Sequence, residues 1–242
     1  MVSQRRVAMR IAVPNRSIFN PLGSGDSGEH TVIRVRQSEC EQLLRSARAE
    51  VALISPLGYG SAPTISDYRI VGTTCLAANE YTGIASIRFR RGLHAPHTYF
   101  APEPEDFLTT IGLLLLAEQH ELTLAPTSSP DDADTVIAWN DTGEYTNHPA
   151  EIDLTEEWAL ACECSLPLGI WVCRSGTAEE YDVVSITSSL ADRALAPREQ
   201  LDSGGEFIWQ WGDDISDALK TTLEMLYYHR YISSLPKVNV LT

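Results

Sequence analysis

The chain reads as an α/β fold on three observations. The run Leu166-Pro167-Leu168-Gly169-Ile170-Trp171-Val172-Cys173 is apolar without alternation, the pattern of a strand buried on both faces. From Met9 to Ile54 the pattern is strand, strand, helix, strand with short links, the order of an α/β layer. The 242 residues are 43% hydrophobic, enough to bury the core of one large domain or of two small lobes.

Met9 to Val13 predicts a first strand, and His30 to Val35 alternates well enough to be a second. Ser38 with Glu41 three residues on has the pattern of a capping box, and Leu43, Leu44 and Ala47 supply an apolar stripe to about Arg48. Val51 to Ile54 is a short buried strand that stops at Ser55-Pro56. Two extended pieces follow, Arg69 to Ala77 and Ile84 to Arg90, and then a helix from about Pro104 to His120 with proline at its start. A loop at Pro126 to Asp132 leads to a strand at Thr135 to Trp139. Asp153-Leu154-Thr155 opens a helix around Trp158, with Glu156 and Glu157 where the helix dipole favours carboxylates. Beyond the Leu166 to Cys173 strand, Ala178 to Leu195 and Asp213 to Ser233 are predicted helical. This order fits a chain that leaves one lobe near Ser86, builds a second, and returns through the Leu166 strand. A single doubly wound sheet gives a similar string.

The net charge of −15 is unevenly spread: residues 1–91 carry 12 basic and 7 acidic side chains, residues 92–242 carry 6 and 26. An acidic surface disfavours nucleic acid and anionic membranes, which gain affinity from clustered Lys and Arg. No apolar run approaches the ~20 residues of a bilayer span, and Met1 to Val13 lacks a signal-peptide core, so a cytoplasmic location is expected. Five scattered cysteines suggest reduced thiols, and the close pair Cys162-Glu163-Cys164 matches no common zinc spacing. Neither metal nor cofactor is expected. Gly23 to Gly28 lacks the lysine and the context of a phosphate loop, and His94 and His97 flank a proline that blocks a shared helix face.

What remains are polar residues where apolar strands end, the places α/β folds use for ligands. These are Asn15-Arg16-Ser17 after the first strand, Ser55 after the third, Asn79 and Ser86 about the presumed crossing, and Thr109-Thr110. If the helix begins at the threonines they offer free N–H groups to a carboxylate; if it begins at Pro104 they are structural. The stripe Leu223, Leu226, Tyr227 and Tyr231 serves either a core or a dimer contact, so monomer and homodimer both stay open.

A string of short words resembles the futalosine-pathway family of menaquinone biosynthesis, whose first member is chorismate dehydratase. The words are Asp153-Leu154, Glu157-Trp158 and Leu166-Pro167 with the run to Trp171, together with Arg10-Ile11-Ala12, Glu50 to Pro56, Ala85-Ser86-Ile87, and Thr109-Thr110 before Leu113 to Leu116. The resemblance implies a two-lobed fold of the type II periplasmic-binding-protein kind, with lobe I at 1–87 and 171–242, lobe II at 88–170, and a cleft between. It implies dehydration of chorismate to 3-(1-carboxyvinyloxy)benzoate, with aromatisation as driving force. Asn15 and Ser86 would then face the reacting ring as catalytic residues. Arg16, Ser17, Ser55, Thr109 and Thr110 would hold the carboxylates, and Asn79 and Asn140 would complete the substrate site. A substrate carboxylate acting as base would account for the lack of a His or Glu candidate.

Two departures bear on this. Pro14-Asn15-Arg16-Ser17 replaces the Tyr-Leu-Asn of dehydratases and is similar to the Pro-Asn-Asp-Thr of the later dihydroxynaphthoate synthase, with Asn20 as the rival asparagine. That enzyme's His-Glu pair is absent after Trp139, and Asn140 stands where dehydratases carry Asp. The alternatives are a small-carboxylate binding protein without turnover and the later naphthoate step.

Overall fold

The computed structural model describes residues 8–62, 68–93, 95–177 and 181–241. The chain begins with β1 (Arg10–Pro14), a 3-10 helix (Ser17–Leu22), β2 (Thr31–Val35), α1 (Gln37–Arg45), β3 (Val51–Ile54), α2 (Pro56–Gly60) and β4 (Tyr68–Asn79). It continues through β5 (Ala85–Phe89), β6 (Thr98–Phe100), α3 (Phe107–His120), β7 (Ala125–Pro126), β8 (Thr135–Trp139), β9 (Ala150–Asp153) and α4 (Leu154–Cys162). The last part comprises β10 (Leu166–Arg174), α5 (Val183–Leu190), β11 (Arg198–Gln200), β12 (Glu206–Gln210), α6 (Asp213–Tyr228) and β13 (Val240–Leu241).

Two sheets result. The larger runs β11-β12-β4-β10-β3-β1-β2, with β13 added to β4; the smaller runs β7-β6-β8-β5-β9. β1 is parallel to β2 and β3, whereas β10 is antiparallel to both β3 and β4, so the larger sheet is mixed. β10 sits between two partners and is buried from Leu166 to Cys173, which is why its sequence is apolar without alternation. Trp171 is fully buried there and its indole N–H donates to Thr74 Oγ1 at 3.2 Å, so the polar edge of the ring is satisfied inside the core.

The chain passes from the larger to the smaller sheet between Asn79 and Ala85 and returns between Cys162 and Leu166. The expected divisions at 87/88 and 170/171 therefore fall inside β5 and β10. Ser86 already pairs with Ala138 and Asp153 in the smaller sheet, and Leu166 already pairs with Ala78 in the larger. The first link is strapped by side chains: Gly83 N donates to Asp153 Oδ2 at 2.8 Å, and Thr155 Oγ1 donates to the Glu80 carbonyl at 2.8 Å.

Helix ends differ from the sequence expectation where capping decides. α1 begins at Gln37, because the Glu39 carboxylate reaches back to accept from Arg36 N at 2.9 Å; Ser38 lies within the first turn. α5 is held to Val183–Leu190 by Asp182, whose carboxylate accepts from Ser185 N at 3.0 Å, and Ala191 is extended. Residues 178–180 of that expected helix lie outside the described residues, as does His94. α6 stops at Tyr228, and Arg230 turns left-handed at φ 64°. Its stripe divides: Leu223 and Leu226 are buried, while Tyr227 and Tyr231 are partly exposed.

Gly169 in β10 marks the closest approach to the 3-10 helix. A Cβ there would stand 2.7 Å from Phe19 Cε1, and Phe19 is itself fully enclosed. Overpacking of a buried ring has no cheap relief. Gly169→Ala is expected to destabilise the fold by about 1–2 kcal/mol, read as a lower denaturation midpoint with unchanged slope.

Candidate functional site

The strand directions bring the chemistry to one place. β1 and β3 run parallel and end at Pro14 and Ile54, β4 ends at Asn79, and antiparallel β10 starts beside them at Leu166. In the smaller sheet β5 starts at Ala85 opposite the end of β8 at Trp139, and the end of β9 at Asp153 pairs with Ser86. β6 runs parallel to β8 and leads into α3 at the same edge. Both links between the sheets leave from these two edges, so the edges face each other. Asn15, Arg16, Ser17, Ser55, Asn79, Ser86, Thr109, Thr110 and Asn140 all lie on or just beyond them.

Arg16 is the residue that crosses. Its guanidinium lies 4.6 Å from the centroid of the Trp139 ring, donates from Nη2 to Glu103 Oε1 at 2.7 Å, and is paired from Nη1 with the Asp141 carboxylate. Its side chain is only 14% exposed, so both ion pairs are partly withdrawn from water and screened less than surface pairs. Phe19 meets the same indole edge-on at 6.2 Å, so loop residues after β1 embrace Trp139 from two directions.

Beneath Trp139 lies the start of α3. Asp106 is its cap, accepting from Leu108 N at 2.8 Å, and Phe107 is the first helical residue. Thr109 and Thr110 are therefore within the first turn: the helix starts between the two places the sequence allowed, and it ends at His120 as expected. The Thr109 hydroxyl donates to the Glu103 carbonyl at 2.9 Å, and Thr110 N donates to the Asp106 carbonyl at 3.3 Å. Burial, with Glu103 close by, pushes the Asp106 carboxyl up to about 6 against the pull of Leu108 N–H and Arg16. The buried Trp139 Nε1 lies beside this carboxyl without reaching hydrogen-bond geometry. The space enclosed by Asp106, Thr109 and Trp139 is about 10 Å³, room for about one water molecule.

Ser86 and Asn140 are brought together, and to Arg88. Ser86 Oγ donates to Asn140 Oδ1 at 2.7 Å and accepts from Arg88 Nε at 2.9 Å; Arg88 Nη2 reaches Asn140 Oδ1 at 3.3 Å and Glu151 Oε2 at 2.9 Å. Asn140 Nδ2 donates to the Gly83 carbonyl at 2.8 Å. Ser86 is 1% exposed, so this network fixes the first link to the end of β8. Ser55 caps α2, its hydroxyl accepting from Gly58 N at 3.1 Å. Asn79 closes β4 opposite Glu206, and Asn15 is exposed with its backbone N–H bonded to the Val35 carbonyl.

Arg16, Ser17 and Asn140, with Gly83, Trp139 and Asp141, line an open groove of about 450 Å³ between the sheets. Small-molecule sites span roughly 300–1,000 Å³. A larger hollow of about 690 Å³ beside Tyr227, Tyr228 and Tyr231 includes none of the residues at the facing edges. Sequence reasoning missed Glu103, Asp106, Trp139 and Asp141. The only signal for them was an aromatic residue ending an apolar strand and an aspartate one residue before a helical run.

Among the described residues no group of three His, Cys, Asp or Glu side chains is placed to hold a metal ion, and no helix is long and apolar enough to cross a membrane. The five cysteines are free, and burial pushes every one of these thiols up, to about 12 for Cys162, so none is a ready thiolate nucleophile.

No protein-family model matches the chain, and no curated protein matches it. Solved structures do. The protein AF1704 of Archaeoglobus fulgidus superposes with a TM-score of 0.61 at 16% identity, over 93% of this chain and 98% of that one. An ABC transporter protein of Parabacteroides distasonis gives 0.60 at 8% identity over 96% and 97%. The periplasmic aliphatic sulphonate binding protein SsuA of Escherichia coli gives 0.53 at 10% identity over 96% and 90%. The fold is that of the periplasmic binding proteins. Identities this low establish architecture and leave activity to the site.

Two outcomes are expected from this geometry. Asp106 has its folded pKa raised above the unfolded value, so its protonated form adds stability that is lost as pH climbs from about 4 through about 6. Asp106→Asn keeps the cap and removes that loss: its stability should approach that of wild type near pH 3.5 and exceed it at pH 8 by on the order of 2–3 kcal/mol, read from thermal melts at the two pH values. Ser86→Ala strands Arg88 Nε in a buried network and is expected to destabilise the fold by about 1–2 kcal/mol, measured by chemical denaturation.

Proposed function

We propose that this chain takes a small organic carboxylate into the groove between its sheets, and that the reaction performed there is chorismate dehydration. One observation carries the reading: Arg16, from the loop after β1, is held across the groove on the face of Trp139 with carboxylates as its partners. A guanidinium stacked on an aromatic ring and largely out of water is preorganised to take a carboxylate in charge-assisted hydrogen bonds. The protein's own Glu103 and Asp141 stand where a ligand's anionic group would bind. The SsuA proteins share the fold, and their names record the binding of aliphatic sulphonates, which are organic anions.

The words shared with the futalosine-pathway family select the substrate. Dehydration of chorismate breaks one ring C–H bond and the ring C–OH bond, the proton and hydroxide leave as water, and the ring becomes aromatic. The protein's part is to orient the anion, exclude bulk water and handle one proton. Arg16 orients a carboxylate, Trp139 and Phe19 limit water, and Asp106, protonated below about pH 6, is the proton-bearing group nearest Trp139.

Incubating the purified chain with chorismate is expected to release an aromatic product, followed by ultraviolet absorbance, and Arg16→Gln should lower kcat/KM by about 10- to 100-fold. Chorismate bound without product would leave a solute-binding protein; chorismate neither bound nor converted would reject the proposal.

A further inference from the structure

We infer that Asp141 is a built-in competitor for the ligand's anionic group, and so sets how tightly the groove holds it. The inference rests on the reading that an organic anion enters this groove, and not on its being dehydrated there. In the structure both terminal nitrogens of Arg16 are occupied, Nη2 by Glu103 and Nη1 by Asp141. The guanidinium has five N–H donors, so an incoming anion can reach a free one, but it meets a charge already paired with two carboxylates and relieves their repulsion only by displacing one of them.

The two are not equally displaceable. Glu103 is 33% exposed and belongs to a turn pinned from both directions, its carbonyl accepting from Asp106 N at 3.0 Å and from Thr109 Oγ1 at 2.9 Å. Asp141 is 49% exposed, sits at the open side of the groove, and precedes Gly143 at φ 154° in a turn closed by Thr142 on the Trp139 carbonyl. A carboxylate so placed regains its hydration when it swings out, so its release costs little. Arg16 stays on Trp139 through the exchange, held by stacking and by Glu103.

Competition of this kind lowers apparent affinity by the fraction of molecules in which Arg16 is already taken. It bears most on anions. A carboxylate, sulphonate or phosphate seeks the Arg16 charge and is repelled by Asp141, whereas a neutral hydroxyl or amide can use a free N–H and is not repelled. Asp141 thus holds down the affinity for the ligands that Arg16 favours.

The test titrates the full chain calorimetrically with benzoate, a plain carboxylate, with benzamide as its neutral isostere, and with chorismate. Asp141→Asn is expected to bind benzoate about two- to fivefold tighter than wild type, in line with a partly exposed charge pair. It should also widen the preference for benzoate over benzamide, and both changes should vanish in the Arg16→Gln, Asp141→Asn double variant. Unchanged benzoate affinity, an absence of benzoate binding in both proteins, or a gain that persists without Arg16 would each overturn the competitor role. If the benzoate gain appears while chorismate is neither bound nor converted, the dehydratase reading falls and the inference stands.

Discussion

Everything about the site follows from β4 and β10 being hydrogen-bonded neighbours in the middle of the larger sheet. One carries the chain out to the smaller sheet and the other brings it back, so both links leave from a single strand edge and hold the two sheets edge to edge. Because β10 is flanked by strands and also packed by helices, its residues from Leu166 to Cys173 are all buried, and neither link can shift without disturbing the core. The polar residues that terminate the strands are then forced into the gap, since the strands that precede them cannot extend further.

Aromatic and ionic contacts line that gap. Phe19 reaches across because β10 has glycine at 169, Trp139 presents one face to Arg16, and the acidic groups Glu103, Asp106 and Asp141 gather round. The low exposure of Arg16 makes its pairings specific, and the burial of Asp106 keeps its proton up to about pH 6, where an ordinary aspartate would have lost it. A second tie lies elsewhere along the interface, where His229 after α6 meets Glu118 of α3 at 3.0 Å. The sheets are thus held by partnered, titratable or exchangeable groups at their rim and by rigid strands at their links.

The residues expected to do chemistry divide by role in this arrangement. Ser86 and Asn140 spend their hydrogen bonds on each other, on Arg88 and on the first link, and Ser55 spends its hydroxyl capping α2. Arg16 and Ser17 face the groove, which Asn140 also lines, and Thr109 lies under Trp139. The same position at a strand end serves either to bind a ligand or to anchor the turn that follows, and the neighbours choose between them.

The sequence by itself determined what depends on local pattern. The unalternating run at Leu166 to Cys173, the cap at Asp153 and the apolar strand from Thr135 to Trp139 were legible because burial on both faces, dipole-favoured carboxylates and strand periodicity leave a mark within a few residues. The polar strand ends were legible too, as the places where each apolar run breaks. Tertiary structure alone decided partnership. Arg16 lies 87 residues from Glu103 and 125 from Asp141, and no local pattern records a contact closed through two sheets. It also decided the edges of the elements, since Asp106, Asp182 and Glu39 cap helices by geometry, and it placed Trp139 against Arg16, because stacking depends on which strand ends face each other and that is fixed only when β4 and β10 pair.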